Sequence, residues 1–99
     1  MIVKHHPRRY GTATVTRVAA AVSSTQLLAA NSIRLAASFY NDSTADLYLK
    51  FGTAASATSK TVTVPAGGIY ELPGLPVYGG VIHGIWTSAT GAADITEGT

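Results

Sequence analysis

Residues 33–51 read Ile33-Arg34-Leu35-Ala36-Ala37-Ser38-Phe39-Tyr40-Asn41-Asp42-Ser43-Thr44-Ala45-Asp46-Leu47-Tyr48-Leu49-Lys50-Phe51, and their rhythm sets the fold class. Ile33, Leu35, Ala37 and Phe39 fall on one face, with Arg34, Ala36, Ser38 and Tyr40 on the other. Leu47, Leu49 and Phe51 repeat the pattern against Tyr48 and Lys50. Alternation with a period of two marks a half-buried β-strand. Between the two runs, Asn41-Asp42-Ser43-Thr44 carry side chains that hydrogen-bond nearby amides and so favour turns. Two alternating runs around a short polar connection predict a β-hairpin.

Upstream, Thr12, Thr14 and Thr16 alternate with Ala13 and Val15, as in a strand with one wet face. Residues 17–30 are rich in alanine, which favours a short helix. Against the helix stand Ser23-Ser24-Thr25 in its middle and the lack of an i, i+3, i+4 apolar stripe. Two short strands joined by a polar turn fit better. Downstream, Val62 and Val64 alternate with Thr61 and Thr63, and Pro65 ends that strand because it has no ladder donor. Ala66-Gly67-Gly68 turns the chain into Ile69–Leu72, which closes at Pro73. Val81–Trp86 is strongly β-prone, and Gly91 turns the chain towards a last strand around Ile95.

The spacing of turns predicts a single all-β domain of about eight short strands, a β-sandwich with Greek-key or jelly-roll connections. It occupies residues 11–99, behind an extended N-terminal arm over residues 1–10, where Pro7 breaks any helix. The expected core is Val15, Leu28, Ile33, Leu35, Phe39, Leu47, Leu49, Phe51, Val62, Val64, Leu72, Val81, Ile85 and Trp86.

A chain of 99 residues has room for one core. It is 46% hydrophobic and only 12% charged, about half the charged share of an ordinary soluble domain. Nearly half of it is Ala, Gly, Ser and Thr. This is a surface suited to being covered by a partner. The charges are also unevenly laid out. Lys4, Arg8, Arg9, Arg17 and Arg34 precede every acidic residue, whereas Asp42, Asp46, Glu71, Asp94 and Glu97 outnumber Lys50 and Lys60 in the remainder. A basic arm meeting an acidic surface follows from that layout. The lack of cysteine excludes disulfide scaffolds, thiolate zinc sites and thiol nucleophiles. No apolar run approaches the ~18 residues of a membrane-spanning helix, and Met1–Tyr10 lacks the apolar region of a signal peptide. The expected route is therefore synthesis and use without Sec export.

Chemistry has little to build on. His83 lies in an apolar strand near Trp86, where packing is the ordinary role of a histidine. No Gly-x-Ser-x-Gly turn presents a nucleophile. Asp42 and Asp46 flank a turn and read as local caps, and Glu71 as a solvated edge residue. His5 and His6 are adjacent, so in an extended arm they point to opposite sides and form no metal site. Gly67-Gly68 and Gly79-Gly80 lack phosphate-loop spacing. Nucleic-acid binding by Lys4, Arg8, Arg9, Arg17 and Tyr10 is the stronger rival, set aside because the footprint is small and the strands lack paired aromatics. No cofactor, metal, membrane or small-molecule substrate is expected.

Certain stretches resemble a recurrent family of small virion proteins of tailed bacteriophages. They are Gln26-Leu27-Leu28-Ala29-Ala30-Asn31, Ser38 to Lys50, Val64-Pro65-Ala66-Gly67-Gly68-Ile69-Tyr70-Glu71-Leu72-Pro73, and Tyr78 to Ala93 with Thr96-Glu97. The likeness runs over about residues 12–99 and leaves the arm out. It implies a particle component, found on heads and also as a module of fibres and adaptors.

The expected function is a non-enzymatic capsid cement or decoration protein on the virion surface, made in the host cytoplasm. Its partners are the major capsid protein and copies of itself, as a dimer or trimer. Lys4, Arg8, Arg9 and Tyr10 are the expected arm contacts; Tyr40, Tyr48 and Tyr70 are expected to face outward and supply rigid contact area. The alternatives are a fibre, neck or baseplate module binding host glycan through Tyr78 and Trp86, and a hydrolase using His83.

Overall fold

The computed structural model describes residues 9–99. Eight strands follow one another: β1 (Ala13–Ala19), β2 (Thr25–Leu28), β3 (Ala36–Ser43), β4 (Leu47–Phe51), β5 (Val62–Val64), β6 (Ile69–Glu71), β7 (Ile82–Trp86) and β8 (Gly91–Gly98). They form two four-stranded antiparallel sheets, ordered β1-β8-β3-β6 and β2-β7-β4-β5. No helix occurs among the described residues. The preference for strands over a helix in residues 17–30 holds, with Ser23 and Ser24 in the turn between β1 and β2.

The pairing is nested. The first strand pairs with the last, the second with the seventh, the third with the sixth and the fourth with the fifth. Contacts of β3 with β8 and of β4 with β7 join those pairs into sheets. Ala37, Phe39, Ala93 and Ile95 of the first sheet meet Leu28, Leu47, Leu49, Ile82 and Trp86 of the second in one buried cluster.

The hairpin expected from residues 33–51 does not form. β3 and β4 lie in different sheets, and among consecutive strands only β4 and β5 are neighbours. Alternation says that each strand has one buried face, but both sheets point their buried faces at the same core. What sends the chain across is Asn41. Its side chain is fully buried and donates to Ala45 O at 2.7 Å and to Val64 O at 2.9 Å, pinning the start of β4 and the end of β5 to β3.

Five residues of the expected core fall outside the buried cluster and the side chains packed against it, half-buried Leu35 among them. Ile33 is 66% exposed, because Asn31 accepts the Ile33 N–H on its side chain and the Arg34 N–H on its carbonyl, forming a turn ahead of β3. Val15 is equally exposed, on a strand at the edge of the first sheet. In β7 the inward residues are Ile82, Gly84 and Trp86, leaving Ile85 half-buried and outward; Val81 precedes the strand. Val81 and Ile85 could not share a face with Trp86 at a period of two. The largest apolar side chain fixed the phase.

Candidate functional site

The outer face of the first sheet is floored by small side chains. Ala36, Ser38, Thr96 and Gly98 border a trough of about 310 Å³, walled by Tyr10 and Glu71. Gly98 makes room for Tyr10: a Cβ there would sit 2.6 Å from the Tyr10 ring. Tyr10 stays half-exposed over this spot, and Arg9 is exposed beside it. Lys4 and Arg8, the other expected arm contacts, lie outside the described residues.

One cross-strand step along the same sheet, Arg17 stands opposite Asp94, and Asp94 stands opposite Tyr40. Arg17 Nη1 bonds Asp94 Oδ1 at 2.9 Å and Asp42 Oδ2 at 3.0 Å. The hydrogen bond to Asp42 and then that to Asp94 push the Arg17 pKa above its already high ordinary value. The guanidinium is therefore a fixed charge, and Asp42 serves it as an ion-pair partner where a local turn cap was expected. Tyr40 is 38% exposed and faces outward, in agreement with the sequence reading.

The outer face of the second sheet is basic. Lys50 and His83 are cross-strand neighbours. Lys50 Nζ donates to Ser59 Oγ at 2.6 Å, and Lys60 Nζ lies 5.0 Å over the Tyr48 ring, whose half-buried edge faces outward as expected. Ser24 Oγ lies 3.0 Å from His83 Nδ1 and accepts the Ala55 N–H at 3.0 Å. A serine hydroxyl can accept twice and donate once, so the imidazole tautomer sets which group donates in the Ser24–His83 bond. A hydrolytic dyad needs a third group to orient the imidazole and a pocket for the reacting carbonyl. Among the described residues no three His, Asp or Glu side chains are grouped to hold a metal ion, and neither the trough nor the smaller hollow at Asp42–Thr44 and Thr90–Gly91 includes Ser24 or His83.

Tyr70 departs from its expected outward position. It stands opposite buried Phe39 in the sheet, and its ring lies 6.3 Å from that of Phe39 and 6.5 Å from that of Phe51, packed against the core. Tyr78 stacks on Phe51 at 4.7 Å and donates its hydroxyl to Val81 O, while Trp86 is buried. Those two aromatics do not form a common platform.

Sequence reasoning missed Arg34, placed there on an outward face. Its side chain is fully buried, with Nε on Glu97 Oε2 at 2.7 Å, Nη1 on Tyr78 O and Gly80 O, and Nη2 on Ala29 O at 2.6 Å. One guanidinium thus ties together the exit of β2, the entry to β7 and the end of β8. The available signal was a lone cation between Ile33 and Leu35. No family model, curated protein or solved structure matches this chain.

Proposed function

We propose that this chain is a structural virion protein of a tailed bacteriophage, a capsid cement or decoration protein that strengthens contacts between major-capsid subunits. The observation that carries the reading is the scarcity of charge on the outside. Of an already small set, Arg34 and Glu97 are paired at the interior, and Arg17, Asp42 and Asp94 are joined in one surface cluster whose net charge is only −1. Large apolar residues stand out instead, among them Val15, Val22, Ile33, Ile69 and Leu75. A freely soluble monomer keeps its surface charged; a protein clamped between neighbours does not need to.

The architecture supports the same class. The nested pairing of eight strands in two sheets supports a jelly-roll reading, an arrangement that hosts viral capsid domains and also lectins. This is support by analogy of fold. Arm residues Lys4, Arg8 and Arg9 anchor the protein to an acidic groove on the shell, and Tyr10 and Tyr40 add contact area.

Densitometry of purified particles tests the reading. Hundreds of copies per particle are expected, and absence from the particle would overturn it. A second reading, a fibre or baseplate adaptor that touches glycan, draws on the trough between Tyr10 and Glu71, where an aromatic ring, hydroxyls and a carboxylate converge. It requires a dozen copies or fewer and measurable sugar binding.

A further inference from the structure

The four sheet edges are not equivalent. β5 and β6 are three residues each, closed by Pro65 and followed by Pro73 respectively, and β2 has a register shift between Gln26 and Leu28. Shortness, proline and bulges all stop a further strand from adding to an edge. β1 carries none of these. Its seven residues contain no proline or lysine, and their register with β8 is unbroken from Ala13↔Gly98 to Ala19↔Ala92. Among the described residues it is also largely bare: every residue of the strand is exposed except Val18, which packs half-buried against the core.

The direction of its free amides can be read from the ladder. Ala20 donates its N–H to Gly91 O, and Thr99 donates to Thr12 O. Hydrogen-bonded pairs alternate in an antiparallel ladder, so the even-numbered residues of β1 face β8. The N–H and C=O groups of Ala13, Val15, Arg17 and Ala19 therefore point away from the sheet.

We propose that β1 pairs antiparallel with β1 of a second copy, about a two-fold axis through Thr16. This register uses all four outward residues of each strand: Ala13 lies opposite Ala19, and Val15 opposite Arg17, giving about eight main-chain hydrogen bonds. Moving the axis to Val15 puts Ala19 opposite Gly11, outside the strand, and moving it to Arg17 sets two guanidiniums face to face. The register favours a second copy as the occupant. Arg17 is the only charge on the strand and is held by its own Asp42 and Asp94, and in this pairing it lies opposite Val15 of the other copy, so the two guanidiniums do not face each other. On the inner face Thr16 meets Thr16, a favourable cross-strand pair. The seven-residue seam is about 23 Å long, a strip smaller than the ~1,200 Å² of a permanent complex. The dimer is accordingly reversible in solution and complete where copies are crowded. This deepens the proposal that the chain meets copies of itself, yet it is tested on purified protein, so its failure leaves capsid attachment untouched.

The full chain, which has no cysteine of its own, makes a position-specific test possible. Thr16 sits on the axis in a non-hydrogen-bonded pair, where Cα atoms approach to about 4.5 Å, within disulfide reach. Under mild oxidation Thr16→Cys is expected to give a covalent dimer, whereas Thr14→Cys, opposite Val18, is not. Val15→Pro removes one outward N–H and leaves the β8 ladder whole; it is expected to weaken self-association at least tenfold in sedimentation equilibrium, with an unchanged circular dichroism spectrum. Should Val15→Pro disturb the fold, the two cysteine variants decide alone. A parent chain that stays monomeric from micromolar to millimolar concentration overturns the proposal. So does crosslinking of Thr14→Cys as fast as Thr16→Cys, or a folded Val15→Pro variant that dimerises as tightly as the parent.

Discussion

Trp86 donates its indole N–H to Asn41 Oδ1 at 3.1 Å, and both side chains are buried between the two sheets. Asn41 belongs to β3 and Trp86 to β7, so this bond joins the largest side chain of one sheet to the only buried amide side chain of the other. Asn41 Oδ1 also accepts from Ser43 Oγ at 2.7 Å, and its backbone pairs with Gly67 and Gly68. Every polar atom of Asn41 is used. A satisfied network of this kind specifies one packing, and a broken one leaves buried groups without partners.

Asn41→Leu is therefore expected to cost about 3 kcal/mol or more, since the Trp86 N–H and two carbonyls lose their partner together. Urea unfolding followed by Trp86 fluorescence measures it. Asn41→Asp sets a carboxylate against the carbonyls of Ala45 and Val64, so its folded pKa is raised above the unfolded value. The folded state of that variant then binds more protons than the unfolded state, and its stability is expected to fall as pH rises from the ordinary aspartate range towards neutrality.

Arg34→Ala leaves the carbonyls of Ala29, Tyr78 and Gly80 and the Glu97 carboxylate without a donor. A loss of about 3–5 kcal/mol is expected. Arg34→Lys keeps the charge but cannot reproduce the planar fork, and should fall between that variant and the parent. Thermal denaturation of the three proteins side by side gives the order.

Two glycines with positive φ separate backbone strain from crowding. Gly67 has φ 74° and open space around a would-be Cβ, so Gly67→Ala is expected to cost about 1 kcal/mol. Gly91 has φ 88°, and a Cβ there would come within 2.5 Å of Asp42 O, a backbone atom that cannot swing aside. Gly91→Ala should cost about 3 kcal/mol or more. Equal denaturation midpoints for the two variants would refute the comparison.

Arg17→Ala is expected to change stability little, because its ion pairs with Asp42 and Asp94 lie at the surface, where water and salt screen them. The folded pKa of Arg17 is raised, so any stabilisation is fully present below its unfolded pKa and lost only at pH far above neutrality. Denaturation midpoints of parent and variant should converge further as sodium chloride is added.

Removal of residues 1–10 should leave the β-sheet circular dichroism intact, since β1 begins at Ala13. It should reduce attachment to capsids, and salt should weaken attachment of the full chain in the same way. Co-sedimentation with shells reads both effects, and undiminished binding of the truncated protein would remove the anchoring role.

The alternation in residues 33–51, Pro65 after Val64, and the serines between Val22 and Thr25 were enough to establish an all-β chain of eight short strands. Strand existence depends on local chemistry: side-chain period, missing donors and turn-forming hydroxyls all act within a few residues. Outward Tyr40 and Tyr48 followed from the same local rule. Sheet membership did not, because β3 and β4 present the same pattern whether they pair with each other or face each other across a core. That choice was made by Asn41 reaching Val64, 23 positions away, and by Trp86 claiming the inner face of β7. The Arg17–Asp94 pair, 77 positions apart, and the burial of Arg34 against Glu97 likewise exist only once distant strands are side by side. Sequence alone determined which segments extend and where they stop; tertiary structure decided which of them meet, because hydrogen bonds and burial between remote residues carry no local signature.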